Sequence, residues 1–172
     1  MNTKQLTRIA LMTAVIAVLS PISVPLATLV PVSLATLAVM LAGAVLGKTE
    51  GALSVIIFLL LGLIGLPVFA EYSSGAGALF GVTGGFLFGY IPLAWLTGYI
   101  YEKRKDTPGL VLGMLAGNLV LYAMGTIWFV VFTGSSAAAA LAACVLPFLP
   151  VDALKMFLVA LVSPRIRRAV GE

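Results

Sequence analysis

Six long apolar segments, separated by prolines, glycines and short charged turns, make up most of this chain. Their lengths suit helices that cross a bilayer, whereas the strands of an outer-membrane barrel are short and alternate apolar with polar residues. Only 9% of the residues are charged and 62% are hydrophobic, which is too little polar surface to cover a soluble domain. Because every backbone polar group in lipid needs an internal partner, we predict an all-α integral membrane protein.

The prolines, glycines and charged turns that separate the apolar segments predict six transmembrane helices in a single domain over residues 1–172. The predicted spans are roughly 5–20, 31–47, 51–66, 84–101, 109–132 and 150–165. We expect the first segment to be a span and not a cleaved signal peptide, since no small-residue cleavage site follows it. The alanine-rich residues 137–146 are expected to form a short helix. Alternatively, the sixth span begins at Ala137, with Pro147 and Pro150 as kinks.

The basic residues predict which end of the bundle faces the cytoplasm. Nine of the ten lysines and arginines flank the predicted spans on one side, and the connecting segments on the other side have none. The nine are Lys4, Arg8, Lys48, Lys103, Arg104, Lys105, Arg165, Arg167 and Arg168. By the positive-inside rule both termini lie in the cytoplasm, in agreement with an even number of spans. Tyr99 and Tyr101 fall at this edge, where we expect interfacial anchors.

Apart from Arg8 and Arg165 at the basic ends of the first and last spans, Asp152 and Lys155 are the charged residues that fall inside predicted spans. Burying such a group costs roughly 2.5–3.5 kcal/mol on insertion scales, so a functional role is the first hypothesis. Three residues apart on a helix, they share one face. With the cytoplasmic end placed near Ser163, Lys155 lies roughly 12 Å and Asp152 roughly 16 Å above it, in the outer half. Alternatively, Asp152 in the first helical turn only complements the helix dipole and Lys155 pairs with it.

The fifth span carries a second polar face. Asn118 lies near mid-membrane and Tyr122 one turn further out, and Gly125 and Phe129 continue the stripe. If this stripe faces the Asp152 and Lys155 pair, the two form a small site with donors, acceptors and aromatic walls. That combination suits a ligand with an amide-like head, an apolar body and a carboxylate. An amide inside a bundle also serves as an interhelical hydrogen bond, and both interpretations stay open.

Residues 68–85 form a glycine-rich segment between the third and fourth spans. It lacks the Gly-Lys-Ser/Thr spacing of a phosphate-binding loop and contains no basic residue. On the outer side, it is predicted to be a flexible or re-entrant cap over a cavity, or else an ordinary connector. Glu71 is its only charged residue.

Four stretches together resemble the BioY family, the biotin-specific S-components of energy-coupling factor transporters. They are VPVSLATLAVMLAGAVLG (30–47), GLIGLPVFA (62–70), GVTGGFLFGY (81–90) and PFLPVDALK (147–155). The pairing of GLPVFA with a G-x-TGG element is the specific part. The resemblance covers residues from about 24 to 165. It implies a prokaryotic cell-membrane protein that captures biotin from outside with high affinity, then associates with a transmembrane coupling protein and paired ATPase subunits.

The resemblance also implies roles for individual residues. Asp152 and Lys155 match the ligand contacts of the P-x-D-x-x-K element. The loop after GLPVFA contributes further contacts, which adds Glu71 and Tyr72, and Thr83 of the G-x-TGG element is placed with them. Asn118 and Tyr122 complete the predicted substrate-binding set. The alanines of the first helix, Ala10 and Ala14, match the pattern that docks the coupling protein.

Three residues depart from what the family usually carries. Ala35 stands where glutamine is usual, Val82 where proline is usual and Val151 where glycine is usual. Ala35 removes a possible polar contact in the pocket, and the two valines affect loop geometry. None of the three removes the Asp152 and Lys155 pair.

Other function classes fit the residues less well. An aspartyl protease needs two carboxylates that share a proton, and one lies within the spans. The chain has no histidine, the commonest ligand of a catalytic zinc. We therefore predict no catalysis, no metal, no cofactor and no nucleic-acid partner. The alternatives that stay open are an S-component for another vitamin, thiamin or riboflavin, and a structural membrane protein.

Overall fold

The protein is mainly helical in the computed structural model, which describes residues 2–25 and 30–170, apart from the side chains of 169 and 170. The helices are α1 Thr3–Leu19, α2 Ala35–Leu63, α3 Gly75–Leu79, α4 Gly84–Arg104, α5 Thr107–Thr133, α6 Ala137–Cys144 and α7 Phe148–Val170. A two-residue antiparallel ribbon, β1 Ser23–Val24 with β2 Val32–Ser33, follows α1, and a 3-10 turn spans Ala70–Tyr72. The all-α prediction is confirmed.

Helix α2 contains a sharp reversal at Gly47, whose φ of 79° and ψ of −176° are not helical. A side-chain carbon built on Gly51 would lie 2.9 Å from the Ala42 carbonyl oxygen and 3.0 Å from Gly43 Cα. In a straight helix, Gly43 and Gly51 would stand about 12 Å apart along the axis. The chain therefore folds back on itself as a helical hairpin. The residues predicted for the second and third spans form the two arms, which join at Gly47 and not at a charged loop.

Short capping motifs set the ends of the helices at the basic side. The side chain of Asn2 accepts the Gln5 N–H at 2.9 Å and begins α1. Asp106 accepts the Gly109 N–H at 2.7 Å and begins α5. These are N-cap bonds, which satisfy amide groups that have no intrahelical partner. The turn between α4 and α5 is therefore fixed locally.

Among the described residues, α5 is able to cross a membrane by length and hydropathy, and α2 passes the same test when its two arms are counted as one helix. Helices α6 and α7 pass the same test together as a pair bent by 42°. Their break contains Pro147, and α7 begins at Phe148. The short helix predicted within residues 137–146 is therefore present as α6, Ala137–Cys144. The faces turned away from the core are apolar, with Leu119 68%, Val131 80% and Phe157 64% exposed. Such faces suit lipid and not water.

Glycines let α4 and α5 pack closely. A side-chain carbon on Gly113 would lie 2.9 Å from the Thr97 carbonyl oxygen, and one on Gly117 would lie 3.0 Å from the Leu93 carbonyl oxygen. Small residues at this spacing allow two helix backbones to approach each other. The close approach fixes α5, and hence the residues one and two turns beyond Gly117, against the rest of the bundle.

The two ends of the bundle differ in charge. At one end, the Lys48 ammonium pairs with the Glu102 carboxylate at 3.4 Å, and Arg167 donates to the Ala44 carbonyl at 3.4 Å and lies over the Tyr101 ring. These contacts join the α2 hairpin turn to the final turns of α4 and α7. The opposite end holds the start of α2, the start of α7 and the segment that precedes α4.

Candidate ligand-binding site

A cavity of about 310 Å³ opens at the end opposite the basic residues. Small-molecule sites in proteins span about 300–1,000 Å³, so the cavity suits a compact ligand. Its aromatic wall consists of Phe69, Phe86, Tyr90, Tyr122 and Phe148. Its charged lining residues among those described are Glu71, Asp152 and Lys155. The cavity is thus mostly aromatic and apolar, with its charges confined to a few positions.

Lys155 is buried, with 4% of its surface exposed, and its ammonium group has three partners. It donates to the Asp152 Oδ1 at 3.0 Å, to the Ser33 carbonyl at 2.8 Å and to the Thr36 Oγ1 at 2.8 Å. An ammonium has three N–H donors, so this arrangement satisfies it fully. The lysine is held in place without any ligand.

Asp152 is also buried, with 2% exposed. Its Oδ1 accepts from Lys155 and from the Thr36 hydroxyl at 3.2 Å, and its Oδ2 accepts from the Tyr122 hydroxyl at 2.6 Å. A carboxylate has about four acceptor positions, so these three bonds leave one on Oδ2. Since Asp152 and Tyr122 both line the cavity, that position is the natural point for a ligand N–H.

The start of α2 and the early turns of α7, after its first turn, bring this network together. Asp152 and Lys155 lie one turn apart on α7, and Ser33 and Thr36 flank the start of α2. The amide dipoles at the start of α2 favour the nearby carboxylate. The predicted alternative is wrong in placing Asp152 in the first turn of its own helix, although Lys155 does pair with Asp152 as that alternative expected. Helix α7 begins at Phe148, two residues before the expected Pro150, and its first turn holds no acid.

The structure separates Asn118 and Tyr122, which the sequence placed on one stripe. Tyr122 reaches the cavity, but Asn118 is not among its lining residues. The Asn118 Nδ2 donates to the Met114 carbonyl at 3.0 Å and contacts the Met40 Sδ of α2 at 3.3 Å. It therefore holds α5 against α2, which is the interhelical interpretation of this amide.

The glycine-rich segment forms one side of the cavity mouth. Glu71 and Thr83 line it, whereas Tyr72 is 69% exposed and is not among the lining residues. The Glu71 N–H donates to the Ser23 Oγ at 3.1 Å, so the segment is tied to the β1 strand. Its far end is held by Trp128, whose Nε1 donates to the Gly81 carbonyl at 2.8 Å.

Several cavity residues were not predicted from the sequence. Ser33 and Thr36 complete the charged network, and Tyr90 and Phe86 form part of the wall. A signal for the first two was present, since SLATL carries two hydroxyl residues three apart at the start of an apolar run. Their partners lie 116 to 122 residues away in the chain, and no local spacing predicts that contact.

The predicted docking residues lie on the outer face of α1. Ala10 and Ala14 are both exposed, whereas Ile9 and Ile16 turn inward. The inner face is joined to α2 through the Thr13 hydroxyl, which donates to a carbonyl of the second arm at 3.1 Å. The small residues of α1 are therefore available to another protein.

Comparison with known proteins assigns the whole chain to one group. The family model described as the BioY family matches residues 1–172. The chain is 40% identical to biotin transporter BioY2 of Lactococcus lactis subsp. cremoris over 99% of this chain and 94% of that protein. It is 36% identical to biotin transporter BioY of Thermotoga maritima over 96% of each. A crystal structure of the S-component for biotin from an ECF-type ABC transporter superposes with a TM-score of 0.90 at 30% identity, over 98% of this chain and 95% of that one.

Proposed function

The chain belongs to the BioY family, and on that premise we propose that it captures biotin as the S-component of an energy-coupling factor ABC-type transporter, without catalysing a reaction. The observation that carries this proposal is the buried network of Asp152, Lys155, Thr36 and Tyr122 at a cavity of about 310 Å³. Relatives that match nearly the whole length of this chain are named biotin transporters.

We infer that the chain is a single domain of six transmembrane helices in a prokaryotic cell membrane, with both termini in the cytoplasm. The reversal at Gly47 supports the count, because it turns the 29-residue helix α2 into two antiparallel arms. The clustering of Lys48, Glu102 and Arg167 at one end supports the orientation, because basic residues stay on the cytoplasmic side. The cavity then opens to the outside.

The charged network suits the ureido ring of biotin, which has two N–H donors and one carbonyl acceptor. Asp152 and Lys155 form an ion pair without net charge, which matches an uncharged polar head. A ureido N–H binds the free position on the Asp152 Oδ2. Because the Asn118 amide is engaged by Met114 and Met40, the donor to the ureido carbonyl is Lys155, which exchanges one of its three bonds. The aromatic wall holds the sulfur-containing ring.

This orientation directs the carboxylate of biotin to the mouth of the cavity, where Glu71 and Thr83 lie. The opposite orientation would place the carboxylate on Lys155. Biotin amide, which lacks the negative charge, separates the two. In the proposed orientation the amide binds with nearly the affinity of biotin. In the opposite orientation it loses a charge-assisted bond and binds about 10- to 150-fold more weakly.

We further propose that the exposed face of α1 around Ala10 and Ala14 docks the transmembrane coupling protein, whose ATPase partners drive release inside. Replacing both alanines by leucine adds bulk to an exposed face of α1. The expected result is loss of copurification with the coupling protein while biotin binding is retained. Equal copurification of the variant and the wild type would place the docking surface elsewhere.

A competition panel tests the proposed ligand. Purified protein is equilibrated with labelled biotin and challenged with unlabelled biotin, thiamin or riboflavin. Unlabelled biotin is expected to displace the labelled biotin, whereas thiamin and riboflavin are not. Thiamin, a cation, would face the Lys155 ammonium deep in the cavity, where Asp152 is already paired and the remaining acid, Glu71, lies at the mouth. Displacement by thiamin or riboflavin at similar concentration would instead identify an S-component for that vitamin.

A further inference from the structure

Helix α4 carries an aromatic and basic stripe at its final turns. Trp95, Tyr99 and Lys103 are spaced four apart and therefore share one face. The Trp95 and Tyr99 rings stack with centres 4.8 Å apart and planes 9° apart, and 41% of the Trp95 surface is exposed. The Lys103 Nζ lies 4.4 Å from the centre of the Tyr99 ring. The stripe thus ends in a cation that rests on an aromatic face.

A second cation reaches the same ring from the α2 hairpin. The Lys48 Nζ lies 5.4 Å from the centre of the Tyr99 ring and 3.4 Å from the Glu102 Oε2. The other Glu102 oxygen accepts the Lys48 backbone N–H at 2.9 Å, which ties this carboxylate to the hairpin turn. In the part of the chain that the structure describes, Lys103 has no carboxylate at ion-pair distance. Of the two ammonium groups at the ring, Lys48 is paired with a carboxylate and Lys103 is not, so positive charge is left at the ring.

The depth of the stripe matches the layers of a membrane surface. Trp95 lies about 12 Å from Lys103 along the helix axis, on the side toward the cavity. Indole and phenol rings favour the interface between acyl chains and water, and ammonium groups reach the phosphate level. The exposed indole is therefore placed for the glycerol region of a lipid whose phosphate lies beside Lys48 and Lys103.

We propose that Trp95, Tyr99, Lys103 and Lys48, here called the Tyr99 cluster, bind the phosphate head group of an anionic phospholipid of the cytoplasmic leaflet. The ammonium groups of Lys48 and Lys103 both lie at the Tyr99 ring, so both can donate to one phosphate group. The Trp95 indole contacts the glycerol region of the same lipid. The proposal rests on the basic end lying at the membrane surface and is independent of which vitamin the cavity takes. It differs from a diffuse attraction of basic residues to the bilayer, because it assigns the contact to two particular lysines.

The test compares Lys103 and Lys48 of the cluster with Lys105, which lies two residues after Lys103. The dissociation constant of dioctanoyl phosphatidylglycerol is measured by native mass spectrometry on protein in neutral detergent. Lys103→Gln and Lys48→Gln are each expected to weaken binding about fivefold, the effect of one cation near a lipid surface. Lys105→Gln removes the same charge outside the cluster and is the matched control, with an expected change below about twofold. Lys103→Arg, which keeps the cation, is expected to retain binding.

Three results would overturn the proposal. An equal loss in Lys105→Gln and Lys103→Gln would mean that only the overall charge attracts lipid. Equal affinity for dioctanoyl phosphatidylcholine would mean that the anionic head group is not recognised. Saturable binding of inorganic phosphate with the same affinity and the same lysine dependence would mean a free-anion site. The unfolding temperature of each variant without lipid separates a lost contact from a lost fold.

Discussion

Lys155→Met removes the ammonium group from the buried network and leaves the Asp152 carboxylate beside an apolar side chain. Removing one member of a buried ion pair costs about 3–5 kcal/mol, because the other charge is left uncompensated. Asp152 keeps its bonds from Thr36 and from Tyr122, which places the cost at the lower end, about 3 kcal/mol. Asp152→Asn is the reciprocal change. It leaves Lys155 with the Ser33 carbonyl and the Thr36 hydroxyl, so a similar cost is expected.

The double variant Asp152→Asn with Lys155→Met removes both charges together. Replacing a buried ion pair by groups of similar volume is often close to neutral for stability. We expect its apparent unfolding temperature without ligand to return most of the way to that of the wild type. Biotin binding is expected to stay lost, because the acceptor and the cation that hold the ureido ring are both absent. Stability and ligand recognition are thereby separated in one set of proteins.

The assay is thermal unfolding in one detergent, followed by equilibrium biotin binding on the same samples. Thr36→Val serves as a network control, since it removes a hydroxyl bonded to both members and leaves both charges in place. Single variants as stable as the wild type would refute the buried-pair reasoning. A double variant that binds biotin as the wild type does would refute the assignment of the ligand to these groups.

Three further changes test the surroundings of the site. Tyr122→Phe removes the hydroxyl that donates to Asp152 and is expected to cost about 1.5–3 kcal/mol, the usual worth of a bond to a charged group, in thermal unfolding without ligand; an unchanged unfolding temperature would contradict this. Gly47→Ala forces a side chain into φ 79° and ψ −176°, a region essentially restricted to glycine, and a loss of about 1–3 kcal/mol is expected in the same assay. No loss would mean that the hairpin does not need glycine. Ser23→Ala removes the acceptor of the Glu71 N–H, and biotin dissociation is expected to become about two- to tenfold faster; an unaltered rate would show that this contact does not hold the mouth closed.

The helical class was predictable from charge and hydropathy, because each residue contributes to them by itself. No contact between distant residues has to be known. The position of the α2 turn was not predictable in the same way. The charged residues Lys48 to Glu50 indicated a loop, yet they lie within the second arm, and the reversal needs only the positive φ of Gly47. A single glycine in an apolar run gives no sign of whether it bends or packs.

In the site, too, some residues were predictable from the sequence and others were not. Asp152 and Lys155 were predictable because two charges in an apolar run need partners. Tyr122 and Asn118 share a helix face, but only their neighbours on α2 and α7 decide that one reaches the cavity and the other packs against Met40. The contribution of Thr36 depends on a contact across 116 residues, which the spacing of a single sequence does not contain.

Equilibrium binding of biotin to purified wild type and to Asp152→Asn tests the central claim most directly. The account predicts saturable binding of one biotin per chain by the wild type. Loss of a charge-assisted bond is expected to weaken it about 10- to 150-fold in Asp152→Asn, while Asp106→Asn, a capping acid at the basic end, changes affinity by less than about twofold. An Asp152→Asn affinity within about twofold of the wild type would contradict the claim that this cavity is where biotin binds.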